Sequence, residues 1–291
     1  MNVVLPEGLT LIESPLPGIR VETPAASGTI YFNGAHVAEW TPAGERPVLW
    51  MSERSNFEAG QPIRGGVPVI FPWFGTGASG GLTPQHGFAR QAQWNLVDAK
   101  VSSSGAATIH LTLGGEEIDR ELSGNMPRDY QLEMHVTMGR TLILQLVVTA
   151  GDSPIRFEQG LHTYFAVGDI RQASIEGLDQ AAYSDRVTGT SHTQDGAVRF
   201  TGETDRVYES RQYLARIVDP AWDRTIQIEK VGGMQTVIWN PWVDKSAAMA
   251  DFGDDEWPGM VCVEAVNTRE QAVVLGRGKR HLLSQTISVQ H

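Results

Sequence analysis

The sequence predicts an all-β protein, a sandwich or barrel of many short strands. Apolar and polar residues alternate over several short segments, turn-forming Gly, Pro, Asn and Asp residues separate these segments, and no long amphipathic helical pattern competes with them. A single all-β domain can exceed about 200 residues. Because the 291 residues contain no internal repeat and no linker-like change in composition, we expect one domain over 1–291.

The clearest strands lie near the middle of the chain. Apolar and polar residues alternate over 109–113 and over 132–138, which predicts half-buried strands. The run 141–149 is apolar at both odd-numbered and even-numbered positions, so we expect this strand to be covered on both faces. Gly139 and Arg140 before it predict a hairpin with the preceding strand. Further strands are predicted at 29–32, 36–40, 48–50, 156–165, 173–176, 225–230, 236–239, 260–266 and 281–289, and short helical turns at 121–125 and 245–249.

Composition is that of an ordinary globular protein and predicts no membrane partner. Hydrophobic residues make up 41% of the sequence and charged residues 20%, and no apolar run approaches the roughly 18 residues of a membrane span. The stretch 1–14 lacks the basic start and long apolar segment of a signal peptide. Cys262 is the only cysteine, so no internal disulfide can form. These features predict a cytoplasmic protein.

The charge of the chain argues against nucleic acid as a partner. The net charge is −11, and no block rich in Lys or Arg occurs. An anionic small substrate remains compatible with this charge, because electrostatic interactions are screened over about 8 Å in physiological salt. A local pair of arginines can therefore dominate one pocket of an acidic protein.

The segment 63–90 combines many Gly and Pro residues with arginines, a histidine and aromatic residues, and is too irregular for a helix or a long strand. Loops of this kind form the rims of ligand sites on rigid scaffolds. The polar groups that such a rim would direct inward are Arg64, Gln85, His86 and Arg90. A long surface loop with solvated arginines explains the same composition equally well.

Two further candidates lie on predicted strands downstream. Alternation puts His162 beside aromatic and apolar neighbours, where a hydrogen-bonded core histidine is the simpler interpretation. Glu264 lies in the middle of a strand among small apolar residues, and a buried carboxylate needs hydrogen bonds, a cation or a function. If the two converge on a pocket, they supply a general acid and a general base, and their ordinary pKa values of about 6.5 and 4.3 already suit those roles.

Other kinds of chemistry find less support in the sequence. We expect no metal site, because no HxH, HExxH or paired-Cys spacing occurs, and His110 and His135 fall on polar faces of separate strands as exposed or cross-strand residues. No GxSxG motif supplies a serine nucleophile. Cys262 lies on an alternating apolar strand, where an inert buried cysteine is expected.

Three more features have both a structural and a functional interpretation. Asp205 follows a polar segment and reads most simply as a turn-capping aspartate. The acidic run 251–259 reads as a solvated loop that leads into the Glu264 strand. Aromatic residues pack in the core by default, but four of them could wall a sugar site: Trp73, Phe74, Trp239 and Trp242.

Taken together, six motifs resemble one family. They are IRGGVPVIFPWFG, HGFAR, LHTYF, GETDRVY, WNPW and VCVEAVN, and they follow the family's order from about residue 30 to the C-terminus. The chain resembles the hexose-6-phosphate mutarotase branch of the aldose 1-epimerase superfamily, whose members have a galactose mutarotase-like fold. The resemblance implies a single large antiparallel β-supersandwich that interconverts the α and β anomers of a hexose 6-phosphate without a metal or an organic cofactor.

The resemblance also implies roles for individual residues. Glu264 would remove the proton from the C1 hydroxyl while protonated His162 donates to the ring oxygen, and Arg64 and Arg90 would hold the phosphate. Carried over by motif, the catalytic residues are His162 and Glu264, and the substrate-binding residues are Arg64, Gln85, His86, Arg90 and Asp205. The expected partner is a sugar phosphate, and we expect a monomer.

Three other functions remain open at this stage. The first is a mutarotase for unphosphorylated aldoses, and only the two arginines argue against it. A non-catalytic carbohydrate-binding or sensor module would share the fold, but it would not need both His162 and Glu264. A glycoside hydrolase is disfavoured, because that chemistry generally uses two opposed carboxylates and only Glu264 is a strong candidate.

Overall fold

Antiparallel strands account for most of the regular structure of the chain. The structure is a computed structural model and describes residues 5–124 and 126–291, so parts of the predicted stretches 1–14 and 121–125 lie outside the described residues. The helices are α1 (Arg120–Ser123) and α2 (Trp242–Ala248), with 3₁₀ turns at Gly115–Glu117, Pro220–Trp222, Trp257–Gly259 and Arg269–Gln271. Within the described ranges, no helix has the length and apolar character needed to cross a membrane.

The strands follow one another in short pieces, as the turn-rich sequence predicts. They are β1 (Leu9–Ile12), β2 (Gly18–Glu22), β3 (Ala26–Tyr31), β4 (His36–Pro42), β5 (Val69–Ile70), β6 (Asn95–Val101), β7 (Ala107–Gly114), β8 (Gln131–Met138), β9 (Leu142–Thr149), β10 (Ile155–Phe157), β11 (Gln159–Leu161), β12 (Tyr164–Ala166), β13 (Ser174–Glu176), β14 (Ala182–Asp185), β15 (Thr190–Thr193), β16 (Val198–Arg199), β17 (Thr204–Tyr208), β18 (Leu214–Asp219), β19 (Arg224–Val231), β20 (Gln235–Asn240), β21 (Met260–Asn267), β22 (Val273–Leu275) and β23 (Arg280–Gln290).

Two large sheets dominate the described part of the chain. One has nine strands in the order β16-β13-β18-β19-β23-β9-β8-β7-β6. The other has eight, in the order β15-β14-β17-β20-β21-β11-β5, with β12 also paired to β21. A four-stranded sheet, β1-β2-β3-β4, and the pair β10-β22 complete the set. The predicted fold class, an antiparallel all-β sandwich, is confirmed.

The two large sheets pack face to face through their apolar sides. Leu283 and Ile287 on β23 are fully buried, and between them the Gln285 side chain reaches the other sheet. Its Nε2 donates to the Val263 carbonyl at 3.0 Å, and its Oε1 accepts from Thr163 Oγ1. Since side chains alternate along a strand, residues next to Val263 and Thr163 point away from the nine-stranded sheet. That outward face carries the site described below.

Several predicted strands are confirmed, including the hairpin of β8 and β9. Three predictions are wrong in detail. The stretch 48–50 forms an isolated bridge at Leu49 instead of a strand. The run 141–149 is buried on one face only, because no layer fully covers its other side, so Ile143 and Val147 stay half-buried. The stretch 156–165 divides into β10, β11 and β12, because the chain changes partner from β22 to β21 after Phe157.

Candidate active site

A cavity of about 280 Å³ opens on the outward face of the eight-stranded sheet. The segment 63–90 and α2 contribute its walls, and the sheet forms its floor. All seven site residues named from the sequence line this one cavity. They are His162, Glu264, Arg64, Gln85, His86, Arg90 and Asp205.

Strand register brings the floor residues together. Asp205 on β17 pairs with Trp239 on β20, and Glu264 on β21 pairs with Val237, two residues from Trp239 on the same face. The strands β11 and β12 both pair with β21, and the short gap between them contains His162. His162 therefore lies opposite Glu264, although the two are far apart in the chain. Asp205 lies within a strand, so the turn-capping interpretation is wrong.

His162 and Glu264 form a buried pair. Nδ1 of His162 lies 3.5 Å from Oε1 of Glu264, and the side chains are 10% and 1% exposed. Among the described residues, neither His162 Nδ1 nor Glu264 Oε2 has a hydrogen-bond partner. The imidazole stacks on the Tyr164 ring at 4.8 Å, which fixes its plane. Buried polar atoms without partners are costly, and they are a common feature of functional sites.

The environment moves both pKa values away from those used in the sequence analysis. Burial, together with the positive charges of Arg90 and Arg64, lowers the pKa of His162 to about 3. Burial and the negative charge of Asp205 raise the pKa of Glu264 well above its usual range. Both shifts therefore favour the neutral forms, a neutral imidazole beside a carboxyl group that holds its proton more tightly than usual. The ordinary pKa values used for both groups in the sequence analysis therefore do not hold in the cavity.

A tight turn at His86 and Gly87 fixes the position of the His86 side chain within the segment 63–90. His86 has a positive φ of 64°, and its Nδ1 accepts a hydrogen bond from the Gly75 N–H at 3.2 Å. Burial and the charge of Arg90 lower the pKa of His86, so the ring is neutral and its Nε2 carries the proton. Gly87 also has a positive φ, and a Cβ at this position would lie 2.1 Å from the Phe71 carbonyl oxygen. Only glycine lets the turn come this close to the backbone at Phe71.

Arg64 is held in place by partners that the sequence analysis did not identify. Its Nε and Nη2 donate to the Asp251 carboxylate at 3.1 and 3.2 Å, and its Nη1 donates to the Tyr164 hydroxyl at 2.9 Å. The bidentate contact fixes the guanidinium in charge and in geometry. The interpretation of 251–259 as a simple solvated loop is therefore wrong. No sequence motif marks Asp251, because the acidic run around it has an ordinary loop composition.

Two arginines in the cavity have no carboxylate partner among the described residues. Arg90 donates to the Gln85 carbonyl at 2.6 Å, while its buried Nε has no partner. Arg186, which follows β14, lies with its guanidinium 4.9 Å from the centre of the Phe74 ring. Lys245 on α2 also lines the cavity, but it pairs with Glu203 at 2.7 Å. The sequence analysis missed Arg186 and Lys245, since neither lies in a motif that distinguishes it from a surface cation.

The cavity is electropositive within an acidic protein. Its lining has four cations and two carboxyl groups, and the raised pKa of Glu264 disfavours the charged form of one of these carboxyl groups. Burial raises the pKa of Asp205, but Arg186 and Lys245 oppose that shift. The arrangement can therefore attract an anion while a sugar ring rests near the floor.

Two of the four candidate aromatic residues line the cavity. Trp239 lies edge-on to His162 with ring centres 6.3 Å apart, and Phe74 lies edge-on to His86 at 4.7 Å. Trp73 instead donates its indole N–H to the Pro84 carbonyl at 2.9 Å within the loop. Trp242 packs on Trp257, with ring centres 4.2 Å apart.

The cavity offers a poor place for a metal ion. His162, Cys262 and Glu264 present three potential ligand atoms within 4.8 Å of one another. Burial raises the pKa of the Cys262 thiol, which disfavours the thiolate that metals bind. The arginines of the cavity add positive charge beside the same atoms, so the donor set does not fit a divalent cation.

Comparison with known proteins identifies relatives over nearly the whole chain. The sequence profile of the family described as "Aldose 1-epimerase" matches residues 18–288. A protein of Escherichia coli K12 named "Putative glucose-6-phosphate 1-epimerase" is 37% identical over 276 residues, which cover 93% of this chain and 90% of that protein. A protein of Cenchrus ciliaris with the same name is 32% identical over 246 residues, covering 81% and 73% of the two chains.

Solved structures share the architecture. A crystal structure described as that of a "putative mutarotase (YeaD) from Salmonella typhimurium" superposes with a TM-score of 0.87 at 31% identity, and covers 97% of this chain and 96% of that one. The crystal structure of HI1317 superposes with a TM-score of 0.82 at 24% identity, covering 99% and 97% of the chains, and supports the fold alone.

Proposed function

The chain belongs to the aldose 1-epimerase family, and we propose that it interconverts the α and β anomers of a hexose 6-phosphate, with glucose 6-phosphate as the first candidate. One observation carries the proposal. A single cavity combines a histidine and a glutamate 3.5 Å apart with two arginines that have no carboxylate partner among the described residues. The names of the relatives point to the same substrate.

Anomer exchange needs two proton transfers and one bond rotation. In the opening step, a base removes the proton from the C1 hydroxyl, an acid protonates the ring oxygen, and the bond between C1 and the ring oxygen breaks. The C1–C2 bond then rotates, and the ring closes on the other face of the aldehyde with both transfers reversed. One acid and one base suffice, and each positioned group contributes about 10² to 10⁴-fold.

His162 and Glu264 are the groups that we assign to these transfers. Burial, with the charges of Arg90 and Arg64, disfavours a charged imidazole at His162, and burial with the charge of Asp205 disfavours a charged carboxylate at Glu264. A phosphate bound by these arginines would offset their charge and so raise the pKa of His162. Transfer of a proton from Glu264 to His162 would then become more favourable, which would leave Glu264 as the base for the C1 hydroxyl and His162 as the acid for the ring oxygen.

We assign the phosphate to Arg90 and Arg186, with Arg64 at the edge of the same subsite. Guanidinium groups match phosphate oxygens in charge and geometry, and an arginine without a carboxylate partner loses no ion pair when the phosphate arrives. Arg64 is already paired with Asp251, so we assign it chiefly a structural role, in which it fixes Tyr164 and the cavity wall around it. This differs from the expectation that Arg64 and Arg90 share the phosphate equally.

The sugar ring would lie between the phosphate subsite and the acid–base pair. Asp205 is placed to accept hydrogen bonds from sugar hydroxyls, and the neutral His86 can donate through its Nε2. Gln85 lines the same wall, and Trp239 offers an apolar surface to the C–H face of the ring. These contacts would orient the C1 hydroxyl toward the catalytic pair.

The test is anomeric exchange measured by NMR magnetisation transfer on glucose 6-phosphate, galactose 6-phosphate and unphosphorylated glucose, with and without the protein. We expect exchange of a hexose 6-phosphate to be accelerated well above exchange of glucose. Exchange of glucose alone would refute the phosphate assignment and support a mutarotase for free aldoses. Exchange of none of the three would refute catalysis and support a binding module.

A further inference from the structure

We propose that the outer face of the nine-stranded sheet carries a binding site for a divalent transition-metal ion of the zinc class, formed by His110, Glu133 and His135. The site is separate from the cavity of the eight-stranded sheet and plays no part in anomer exchange. It would link β7 to β8 near one edge of the nine-stranded sheet.

The antiparallel register places the three side chains at one spot. His110 on β7 lies directly opposite His135 on β8. Glu133 is two residues before His135, so both project from the same face of β8. The sequence alone gives no sign of this group, because its members share no local metal motif and meet only when the strands pair.

The distances within the group match a tetrahedral metal site. Nε2 of His110 and Nε2 of His135 each lie 3.4 Å from the same oxygen, Oε2 of Glu133. Zinc binds imidazole nitrogen and carboxylate oxygen at about 2.0–2.1 Å, so neighbouring ligand atoms of a tetrahedron are about 3.3–3.4 Å apart. The two distances from histidine to glutamate therefore match the ligand spacing of such a site, while the stacked rings, with an interplanar angle of 17°, must turn apart for both nitrogens to face one ion.

The surroundings prepare the ligands for a cation. Arg280 donates to the other oxygen of Glu133, Oε1, at 2.9 Å, which orients the carboxylate and leaves Oε2 facing the histidines. The two imidazole rings stack with their centres 4.0 Å apart, and both present Nε2 to the same oxygen of Glu133. Nε2 of His110 is shielded from solvent and has no hydrogen-bond partner in the described part of the chain. A neutral imidazole with a free lone pair is the form that binds metals.

The group borders solvent. The side chains of His110 and His135 are 23% and 32% exposed, although Nε2 of His110 is itself covered. Water could occupy the fourth position of a bound ion. Two nitrogen ligands and one oxygen ligand suit zinc better than magnesium or calcium, which prefer oxygen alone.

The experiment uses the full chain after removal of metals with a chelator. Zn²⁺ is titrated into the wild type and into His135→Gln, a variant that keeps a polar side chain of similar length, and binding is followed by calorimetry. We expect one ion per chain, and at least about tenfold weaker binding in the variant, since even loss of groups around a metal's ligands weakens binding by 10–100-fold. His192→Gln is the matched control, because His192 is an exposed histidine on a strand of the other large sheet.

A second measurement on the wild type keeps the test valid if a variant fails to fold. The protein has eight histidines, and Zn²⁺ should shift the ¹⁵N resonances of the His110 and His135 rings while the other six stay unchanged. Equal affinity in wild type and His135→Gln would overturn the proposal, as would unchanged resonances of these two rings. Binding that slows anomer exchange and shifts His162 instead would assign the ion to the cavity and refute this site.

Discussion

At the residue scale, the buried pair of His162 and Glu264 carries opposite pKa shifts, and the proposed chemistry depends on them. In solution His162 would titrate near 6.5 and Glu264 near 4.3, but burial and the nearby arginines reverse their order of proton affinity in the empty cavity. We therefore expect the protonation of the pair to respond to the charge of a bound sugar. A phosphorylated sugar brings that charge, and an unphosphorylated sugar does not.

The first prediction concerns the base. Glu264→Gln keeps the size of the side chain but cannot take up a proton, so we expect catalysed exchange of glucose 6-phosphate anomers to fall by about 10² to 10⁴-fold with little change in KM. NMR magnetisation transfer measures the rate. A Glu264→Gln protein that exchanges anomers as fast as wild type would refute the mechanism.

The second prediction concerns phosphate recognition. Arg90→Gln should raise KM for a hexose 6-phosphate by about 10 to 100-fold, because a hydrogen bond to a charged group contributes about 1.5–3 kcal/mol. Any exchange of free glucose should change little. Arg206→Gln is the matched control: Arg206 is the residue after Asp205, lies outside the cavity lining and pairs with Asp185 at 3.3 Å. Equal losses on the phosphorylated and the free sugar would contradict the assignment of Arg90.

The sequence predicted the types of residue at the site better than their partners. His162, Glu264 and the loop residues lie in motifs, so the resemblance identified them one by one. Asp251 and Arg186 lie in segments of ordinary loop composition, and only the folded chain brings Arg186 to the cavity and Asp251 to Arg64. The protonation of the pair was also out of reach, because it depends on burial that a linear sequence does not specify.

At the scale of elements, the turn that contains His86 and Gly87 connects the loop to the sheet. Gly87 forms a bridge to Phe71, and the loop positions His86 and Arg90 on either side of this contact. Its geometry depends on a residue without a Cβ.

Substitution of this glycine gives the third prediction. Gly87→Ala should lower the free energy of unfolding by more than the roughly 1–2 kcal/mol that a positive φ costs an L-residue, because its Cβ would also meet the Phe71 carbonyl. Gly80→Ala is the control, since Gly80 has a φ of +76° and no described heavy atom within 4 Å of the added Cβ. Urea unfolding measures both, and equal losses would show that the contact with Phe71 is unimportant.

Strand existence was predictable, while strand pairing was not. Alternation and turn residues identified β7, β8, β9 and β21 from local pattern alone. The pairing of β11 and β12 with β21 joins segments far apart in the chain, so no local signal specifies that His162 faces Glu264. The division of 156–165 into three strands was missed for the same reason, because it follows from a change of partner strand in the folded chain.

At the scale of the whole molecule, the net charge of the chain and the charge of its cavity have opposite signs. The chain carries a net charge of −11, yet its cavity has an excess of cations. The overall composition therefore argued against a basic surface for nucleic acid, but it gave no indication that the cavity carries positive charge. The cytoplasmic location, the monomeric state and the single domain over 1–291 stay predictions.

The fourth prediction concerns acid stability. His36 is fully buried beneath the 63–90 segment, and burial, with a smaller effect of Arg90, lowers its pKa to about 3. As pH falls below about 6.5, the unfolded chain takes up a proton that the folded chain resists, so stability is complete above that pH and declines toward pH 3. The slope is about 1.4 kcal/mol per pH unit for one such histidine.

The matched variant isolates this contribution. His36→Gln should show a shallower decline of unfolding free energy with pH by about 1.4 kcal/mol per pH unit, whatever its absolute stability. Chemical unfolding at a series of pH values between 6.5 and 4 measures both slopes. Identical slopes would mean that His36 takes up its proton in the folded state.

The position of β23 has a consequence for synthesis of the protein. This strand is near the end of the chain, yet it lies in the middle of the nine-stranded sheet, between β19 and β9. Until the ribosome releases these residues, the nascent chain lacks the partner that β9 and β19 share in the folded sheet, and open strand edges recruit other chains. A premature stop codon just before Arg280 would therefore produce an aggregation-prone polypeptide, even though every residue that lines the cavity would already have been translated.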